Sequence, residues 1–272
     1  MGRVLFVSAG PGAADLITLR GARALALADV VLFDALTDPA LREFAPQAKW
    51  LDVGKRGFCH STKQTTINAA LVREAKAHDV VVRLKGGDTS VFGRLEEELL
   101  ALAEAHIPYE IVPGVTAAIA AAAQTGRPLT RRGAGRSVAL TTAMTREGEL
   151  QAARSADTEV FYMAGQQLAA LSRRLLAAGW DACTPVSVVS RAGCADALSS
   201  EHDVASLGAA SMLHKGRPTV VIVGAGAAPL TGAPQGDLEA DPAVRLGDYA
   251  TPSSRQDLEP QGLESLPQSP NV

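Results

Sequence analysis

Apolar positions in the first half of the chain fall into short runs that alternate with longer amphipathic segments. The runs at residues 4–8, 30–33, 49–53, 80–84 and 109–112 have the length and composition of strands. Between them, residues 14–28, 65–77 and 96–105 carry alanine and leucine at helical spacing. This alternation predicts a mainly parallel sheet covered by helices.

A second series of elements begins near Thr116. Residues 117–123 and 168–178 predict helices, and residues 137–142, 158–163, 186–190 and 218–223 predict strands. We therefore expect two α/β domains, residues 1–115 and residues 116–228, with a ligand site in the cleft between them.

The periodicity stops at about Pro229. Residues 229–272 hold seven of the fifteen prolines and seven acidic residues against two arginines. Such a segment buries too little apolar surface to offset the entropy of ordering it, so we expect a disordered tail. A peptide that docks on a partner is the alternative interpretation.

Composition narrows the class of protein. The tail has a net charge of −5 and the whole chain a net charge of −3, so the remaining residues carry +2. This positive charge is too small for a nucleic-acid-binding surface. No apolar run approaches the roughly 20 residues of a membrane span, and the N-terminus has the pattern of a strand rather than a signal peptide. Cys59, Cys183 and Cys194 lack metal-ligand or disulfide spacing, so we expect a cytoplasmic protein without a metal.

The segment VRLKGGDTSVFGRLEEE, residues 82–98, carries the most chemical information. A strand runs directly into Gly86 and Gly87, where the missing side chains let a ligand lie on the backbone. Asp88 adds a carboxylate at the carboxyl end of that strand, where open α/β sheets bind ligands. Arg94 and Glu97 follow near a helix start, three residues apart, and a surface salt bridge is the simpler interpretation of that pair.

The first strand leads into a glycine loop, Ser8-Ala9-Gly10-Pro11-Gly12. It resembles a dinucleotide fingerprint, but Asp15 stands where the third glycine belongs and Pro11 removes a backbone N–H. NAD is therefore disfavoured. A phosphate-free adenosine compound or a simple tight turn fits the loop better.

Other positions have both structural and functional interpretations. Asp34 ends the second strand as either a helix N-cap or a group facing the cleft, and Lys55 lies in a glycine-flanked loop. Thr116 is a candidate N-cap, and Met163 is either a core residue or a flexible contact for a ligand. The basic connection after residue 124 is either solvated or faces a polycarboxylate, and its arginines are Arg127, Arg131, Arg132 and Arg136.

The order of these motifs resembles the uroporphyrinogen-III C-methyltransferases. Along residues 3–226 the shared motifs are AGPG, VLFDAL, VGKRG, VRLKGGD, FGRxxEE, VPGVTAA, PLTxRG, FYM and PTVVIVG. The resemblance implies two α/β domains with S-adenosylmethionine in the cleft between them, a homodimer, and no metal. It also implies methylation of uroporphyrinogen III at C2 and C7 to give precorrin-2, which feeds sirohaem, cobalamin or haem d1 synthesis.

The same resemblance assigns roles to residues. Asp34 matches a proton acceptor, Lys55 a proton donor, and Arg94 a further group for proton handling. By the same match, Arg94 and Glu97 would bind the macrocycle. Because the implied substrate carries eight carboxylates, we expect Arg131 and Arg132 to bind it as well. The implied cofactor contacts are Pro11, Gly86, Gly87, Asp88, Val91, Thr116, Ala117, Met163 and Ala192.

The chain also departs from the family pattern. Thr89 replaces a proline, Leu95-Glu96 a pair of glycines, Arg131 a histidine, and Ala192 a glycine, while Thr142-Ala143-Met144 stands for Thr-Gly-His. These changes leave two alternatives open. One is a methyltransferase for a later corrinoid precursor, and the other is a non-catalytic protein that binds S-adenosylmethionine.

Overall fold

Two five-stranded sheets form the framework of the computed structural model, which describes residues 2–54, 64–143 and 150–230. The first sheet has the order β3-β2-β4-β1-β5, and all of its pairings are parallel. Its strands are β1 (Arg3–Ser8), β2 (Val30–Phe33), β3 (Lys49–Asp52), β4 (Val80–Lys85) and β5 (Tyr109–Val112). The parallel sheet expected from the alternating pattern is confirmed.

Helices cover both faces of this sheet. They are α1 (Leu19–Ala26), α2 (Gln64–Ala77) and α3 (Leu95–Glu104). Val31 and Val82 pack with α1 on one face, whereas their neighbours Leu32 and Val81 pack with α2 and α3 on the other. The central strands β1, β2 and β4 therefore bury both faces, which is why they appear in the sequence as nearly continuous apolar runs.

The second sheet has the order β6-β7-β10-β8-β9. Its strands are β6 (Val138–Thr142), β7 (Thr158–Tyr162), β8 (Pro185–Ser190), β9 (Leu198–Asp203) and β10 (Thr219–Gly224). Only β6 and β7 pair in parallel, and the other three pairings are antiparallel. Helices α4 (Ala117–Gln124) and α5 (Leu168–Ala177) pack against it.

Two of the differences from the sequence prediction have a clear local cause. The predicted start of the helix over residues 14–28 is wrong, because Ala14–Leu16 forms a 3-10 turn and α1 begins at Leu19. Thr18 sets that start, since its side chain accepts a hydrogen bond from the N–H of Gly21 at 3.1 Å. Strand β9 was not predicted, because its sequence LSSEHD is polar and none of its residues is buried.

Within the described ranges, none of the helices has the length and hydropathy that crossing a bilayer requires. The expected tail, residues 229–272, lies outside the described residues from residue 231 onward.

Candidate active site

A cavity of about 210 Å³ lies where loops of the first sheet meet strand ends of the second. The first sheet supplies residues that follow β1, β2 and β4, and the second supplies the ends of β7 and β8 and the start of β10. All nine residues matched to cofactor contacts line it: Pro11, Gly86, Gly87, Asp88, Val91, Thr116, Ala117, Met163 and Ala192. The structure thus brings together positions that span most of the chain.

The two glycine loops are joined by their backbones. The N–H of Gly87 donates to the carbonyl of Gly10 at 2.6 Å, and the N–H of Gly10 donates back at 3.2 Å. Both residues have left-handed backbones, with φ of 81° at Gly10 and 70° at Gly87. A Cβ on Gly87 would meet no protein atom within 4 Å, so its backbone faces open space that a ligand can fill.

Asp88 connects the loop after β4 to the loop after β5. Its Oδ2 accepts from the N–H of Gly114 at 2.8 Å, and its Oδ1 accepts from the N–H of Ser90 at 2.8 Å. Burial acts to raise the pKa of Asp88, but hydrogen bonds from Ser90 and Gly114 outweigh it and hold the pKa below its usual value. Gly114 has no room for a side chain, because a Cβ there would lie 2.5 Å from that of Ser8.

Tyr162 links the second sheet to the start of α4. Thr116 is the N-cap residue of α4, as predicted, but its side chain makes no capping bond. Its hydroxyl instead lies 2.7 Å from the hydroxyl of Tyr162, which also accepts from the N–H of Ala118 at 3.3 Å. The ring of Tyr162 packs on Phe92 of the first half of the chain, with centroids 4.9 Å apart.

Left-handed backbone at residues other than glycine is concentrated around this region. Met163 and Arg191 line the cavity with φ of 58° and 51°, and Phe92 and Arg94 have φ of 53° nearby. Such conformations cost free energy and cluster at functional sites. Met163 is 56% exposed, so the interpretation of it as a core residue is wrong.

Asp34 lies at the end of β2, two residues before Leu36 of the cavity wall. It is not a helix N-cap: its Oδ1 accepts from the guanidinium of Arg83 at 2.7 Å. The loop after β3 passes close by, because Gly54 packs so tightly on the backbone of Ala35 that a side chain there has no space. Lys55 follows Gly54 and lies outside the described residues.

Arg94 and Glu97 form the predicted salt bridge, in which Arg94 donates two hydrogen bonds of 2.7 Å to the two carboxylate oxygens. Arg94 is the N-cap residue of α3 and Glu97 lies in its first turn, and Arg94 lines a second cavity of about 650 Å³. Leu95, which replaces a family glycine, also lines this cavity and packs on the core between the sheet and helices α2 and α3.

The predicted arginine cluster is divided in the structure. Arg127 is buried and pairs with Glu201, while Arg131 donates to the carbonyls of Ala228 and Pro229. Arg131 lines a separate cavity of about 370 Å³, and Arg132 is exposed. The structure does not bring Arg131 or Arg132 to the cavity that holds the nine matched positions.

Sequence reasoning missed several residues of the cavity wall: Leu36, Tyr162, Val189, Arg191, Pro218, Thr219 and Val220. The motifs FYM and PTVVIVG contained four of them. The sequence of a buried strand, however, does not indicate which of its residues will line a ligand cavity. Among the described residues, no group of three or more histidine, cysteine or acidic side chains could hold a metal ion.

Comparison with known proteins gives a consistent result. Residues 3–207 match the family model described as Tetrapyrrole (Corrin/Porphyrin) Methylases. The Uroporphyrinogen-III C-methyltransferase of Pseudomonas aeruginosa is 45% identical over 195 residues, which cover 70% of this chain and 80% of that protein. Siroheme synthase 1 of Klebsiella pneumoniae is 45% identical over 196 residues, 70% of this chain but only 42% of that longer protein.

A solved structure is also similar. It is the Uroporphyrin-III C-methyl transferase of Thermus thermophilus complexed with S-adenyl homocysteine, which is 35% identical with a TM-score of 0.73. The match covers 82% of this chain and 97% of that one.

Proposed function

This chain belongs to the tetrapyrrole (corrin/porphyrin) methylase family, and from that premise we propose that it is a uroporphyrinogen-III C-methyltransferase. It transfers methyl groups from S-adenosylmethionine to C2 and C7 of uroporphyrinogen III and produces precorrin-2 for sirohaem or cobalamin synthesis. The observation that carries the proposal is the convergence of the nine positions matched to cofactor contacts on one cavity at the carboxyl ends of β1 and β4.

The residues of the cavity fit the methyl donor. Gly86 and Gly87 present backbone rather than side chains, and Pro11, Val91 and Met163 supply apolar wall. At about 210 Å³ the cavity is small for a whole ligand, but a neighbouring cavity of about 530 Å³ shares some of its lining residues. The shared residues are Pro11, Leu36, Arg191 and Pro218. The two together provide room for a donor and part of a macrocycle.

When bound, S-adenosylmethionine supplies a sulfonium methyl that is already activated, so the protein mainly aligns it with a nucleophilic carbon. A carbon–carbon bond forms, a carbon–sulfur bond breaks, and the macrocycle must lose one proton for each methyl gained. We assign Asp34 as the acceptor of that proton and Lys55 as the proton donor. Arg94 binds carboxylates of the macrocycle and is a further group for proton handling, and Glu97 holds the Arg94 guanidinium in place through two hydrogen bonds. The substrate-binding roles of Arg131 and Arg132 stay predictions.

We further propose a homodimer in the cytoplasm. The wide spacing of the three cysteines supports the location. Light scattering of the purified protein would measure the assembly directly.

Anaerobic incubation with uroporphyrinogen III and S-adenosylmethionine tests the function. We expect a mass gain of two methyl groups and a precorrin-2-type absorption spectrum. Turnover of a later corrinoid precursor in preference to uroporphyrinogen III would contradict this substrate. Cofactor binding without transfer to any tetrapyrrole would indicate a non-catalytic protein.

Substitutions test the assigned roles. Asp34→Asn and Arg94→Ala are expected to lower kcat more than they weaken S-adenosylmethionine binding, because both residues act on the macrocycle rather than the donor. General acid–base groups typically contribute on the order of 100-fold or more in rate. Weaker donor binding with normal turnover of the saturated enzyme would refute these assignments.

A further inference from the structure

Asp34 contacts a cluster of buried charged side chains, Arg83, Lys85 and Glu98, that have no role in the proposed mechanism. Arg83 of β4 is 1% exposed, Lys85 is 4% exposed, and Glu98 of α3 is fully buried. Glu98 Oε1 accepts from Nε and Nη2 of Arg83, both at 3.2 Å, and from Nζ of Lys85 at 3.1 Å. Gln64 of α2 adds a fourth hydrogen bond to the same oxygen at 3.1 Å.

The guanidinium of Arg83 is held on all sides. Nη1 donates to the carbonyls of Leu84 at 3.1 Å and Leu32 at 3.4 Å, while Nε and Nη2 donate to Glu98. Nη2 also donates to Asp34 Oδ1 at 2.7 Å. Because a guanidinium is planar and its donors are fixed in a fork, these bonds determine where Nη2 points.

Burying such charges is unfavourable for folding, and apolar side chains of similar size would often serve stability as well or better. Burial lowers the pKa of the Lys85 ammonium, and the neighbouring Arg83 lowers it further. A second buried carboxylate makes a useful contrast. Glu74 of α2 is 5% exposed and pairs with Arg73, but this pair has no bond to Asp34 among the described contacts.

We propose that Arg83 and Glu98 are positioning residues for methyl transfer. Glu98 fixes the guanidinium of Arg83, and Arg83 orients the Asp34 carboxylate so that its other oxygen, Oδ2, accepts the proton leaving the macrocycle. The inference rests on the proposed function, in which Asp34 is that acceptor. It extends the site from a single carboxylate to a chain of contacts from α3 through β4 to the end of β2.

Kinetics of Arg83→Lys and Glu98→Gln test the proposal. Both changes disturb the orientation of Asp34, so we expect kcat to fall on the order of 10- to 100-fold, as for supporting residues of other sites. The KM for uroporphyrinogen III and the Kd for S-adenosylmethionine should stay within about twofold, and the acid limb of the pH profile of kcat should move. The matched control Glu74→Gln loses thermal stability but keeps kcat and the pH profile.

A double-mutant cycle separates positioning from a purely structural role. In an Asp34→Asn background, Arg83→Lys should cost no further activity, because both changes remove the same oriented carboxylate. Effects that multiply in the double variant, or losses in kcat that only follow the folded fraction, would overturn the proposal.

A measurement without turnover distinguishes failure of the inference from failure of the proposed function. With ¹³C-labelled aspartate, the Asp34 carboxyl signal, assigned by its loss in Asp34→Asn, is followed against pH. Its titration midpoint should move in Arg83→Lys and Glu98→Gln and stay in place in Glu74→Gln. An unmoved midpoint rejects the positioning role even if the wild-type protein methylates uroporphyrinogen III, whereas a moved midpoint supports it whatever the substrate.

Discussion

At the scale of single residues, Thr89 shows how a departure from the family pattern can be accommodated. It is fully buried, and its backbone N–H donates to the hydroxyl of Ser8 at 3.0 Å. The proline usual at this position has no such donor. The hydrogen bond therefore adds a link between the ends of β1 and β4 directly beneath the two glycine loops.

We expect Thr89→Pro to lower the free energy of unfolding by about 1 kcal/mol, the usual net value of one hydrogen bond. Chemical denaturation measures the change. In a Ser8→Ala background the same substitution should cost clearly less, because the acceptor is already gone. Equal costs in the two backgrounds would show that the Ser8 bond is not responsible.

Individual site residues were predictable where a motif marks a backbone position, as in Gly86-Gly87-Asp88 after a strand. The partner of Asp34 was not predictable. It depends on the register of β2 against β4, which pairs Leu32 with Arg83. The roles of Tyr162 and Arg191 likewise depend on how the two sheets meet, which local sequence does not encode.

At the scale of elements, the start of α4 depends on a side chain from a distant part of the chain, Tyr162 at the end of β7. The hydroxyl of Tyr162 accepts from the N–H of Ala118 and contacts Thr116, so it takes the place of a local N-cap side chain. Thr116 and Ala117 form part of the cavity wall. Stability of the helix start and the shape of the cavity are therefore coupled through one hydroxyl.

Tyr162→Phe should reduce the free energy of unfolding by about 1–2 kcal/mol, as for loss of an N-cap. It should also weaken S-adenosylmethionine binding, which calorimetry measures. Tyr109→Phe is the matched control, since Tyr109 is 45% exposed on β5. If both variants bound the donor equally well, the proposed coupling would be wrong.

Element prediction succeeded where burial leaves a strong pattern. The central strands β1, β2 and β4 of the first sheet are nearly continuous apolar runs, and all five strands of that sheet were located to within a residue at either end. The polar edge strand β9 carries no such signal, and the start of α1 depends on the side chain of Thr18 rather than on periodicity. Apolar composition can therefore locate a strand but cannot locate a cap or an exposed edge.

At the scale of the whole molecule, one buried histidine makes stability depend on pH. His214 is fully buried, and its Nε2 lies 2.9 Å from the hydroxyl of Ser200. Burial lowers its pKa, and the nearby His202 and Arg217 lower it further. The unfolded chain therefore binds a proton at higher pH than the folded protein does.

The stabilisation that comes from burying His214 in its neutral form is fully present above the ordinary histidine pKa of about 6.5. It is lost progressively as the pH falls below that value. As the pH is lowered, we expect the free energy of unfolding to decrease with a slope approaching about 1.4 kcal/mol per pH unit for this one proton. Denaturation across pH 5–8 measures the slope. His214→Gln should flatten it, whereas a substitution at the exposed His106 should not; equal slopes in both variants would contradict this origin.

The overall architecture was only partly predictable from the sequence. Alternating strands and helices predicted the parallel first sheet correctly, because parallel strands need a crossover between them. The second sheet is mostly antiparallel, and its strand order depends on contacts between segments far apart in the chain, such as β7 with β10. No local pattern records such pairings.

The left-handed residues also bear on attempts to make this protein more thermostable. Replacing such a residue with glycine relieves backbone strain. Four of these residues line cavities: Phe92, Arg94, Met163 and Arg191. Replacing them with glycine would raise stability but remove side chains of the candidate site. His106, with φ of 54° after α3, lines none of the cavities described above. An engineer should begin there, where greater stability and retained catalysis do not compete.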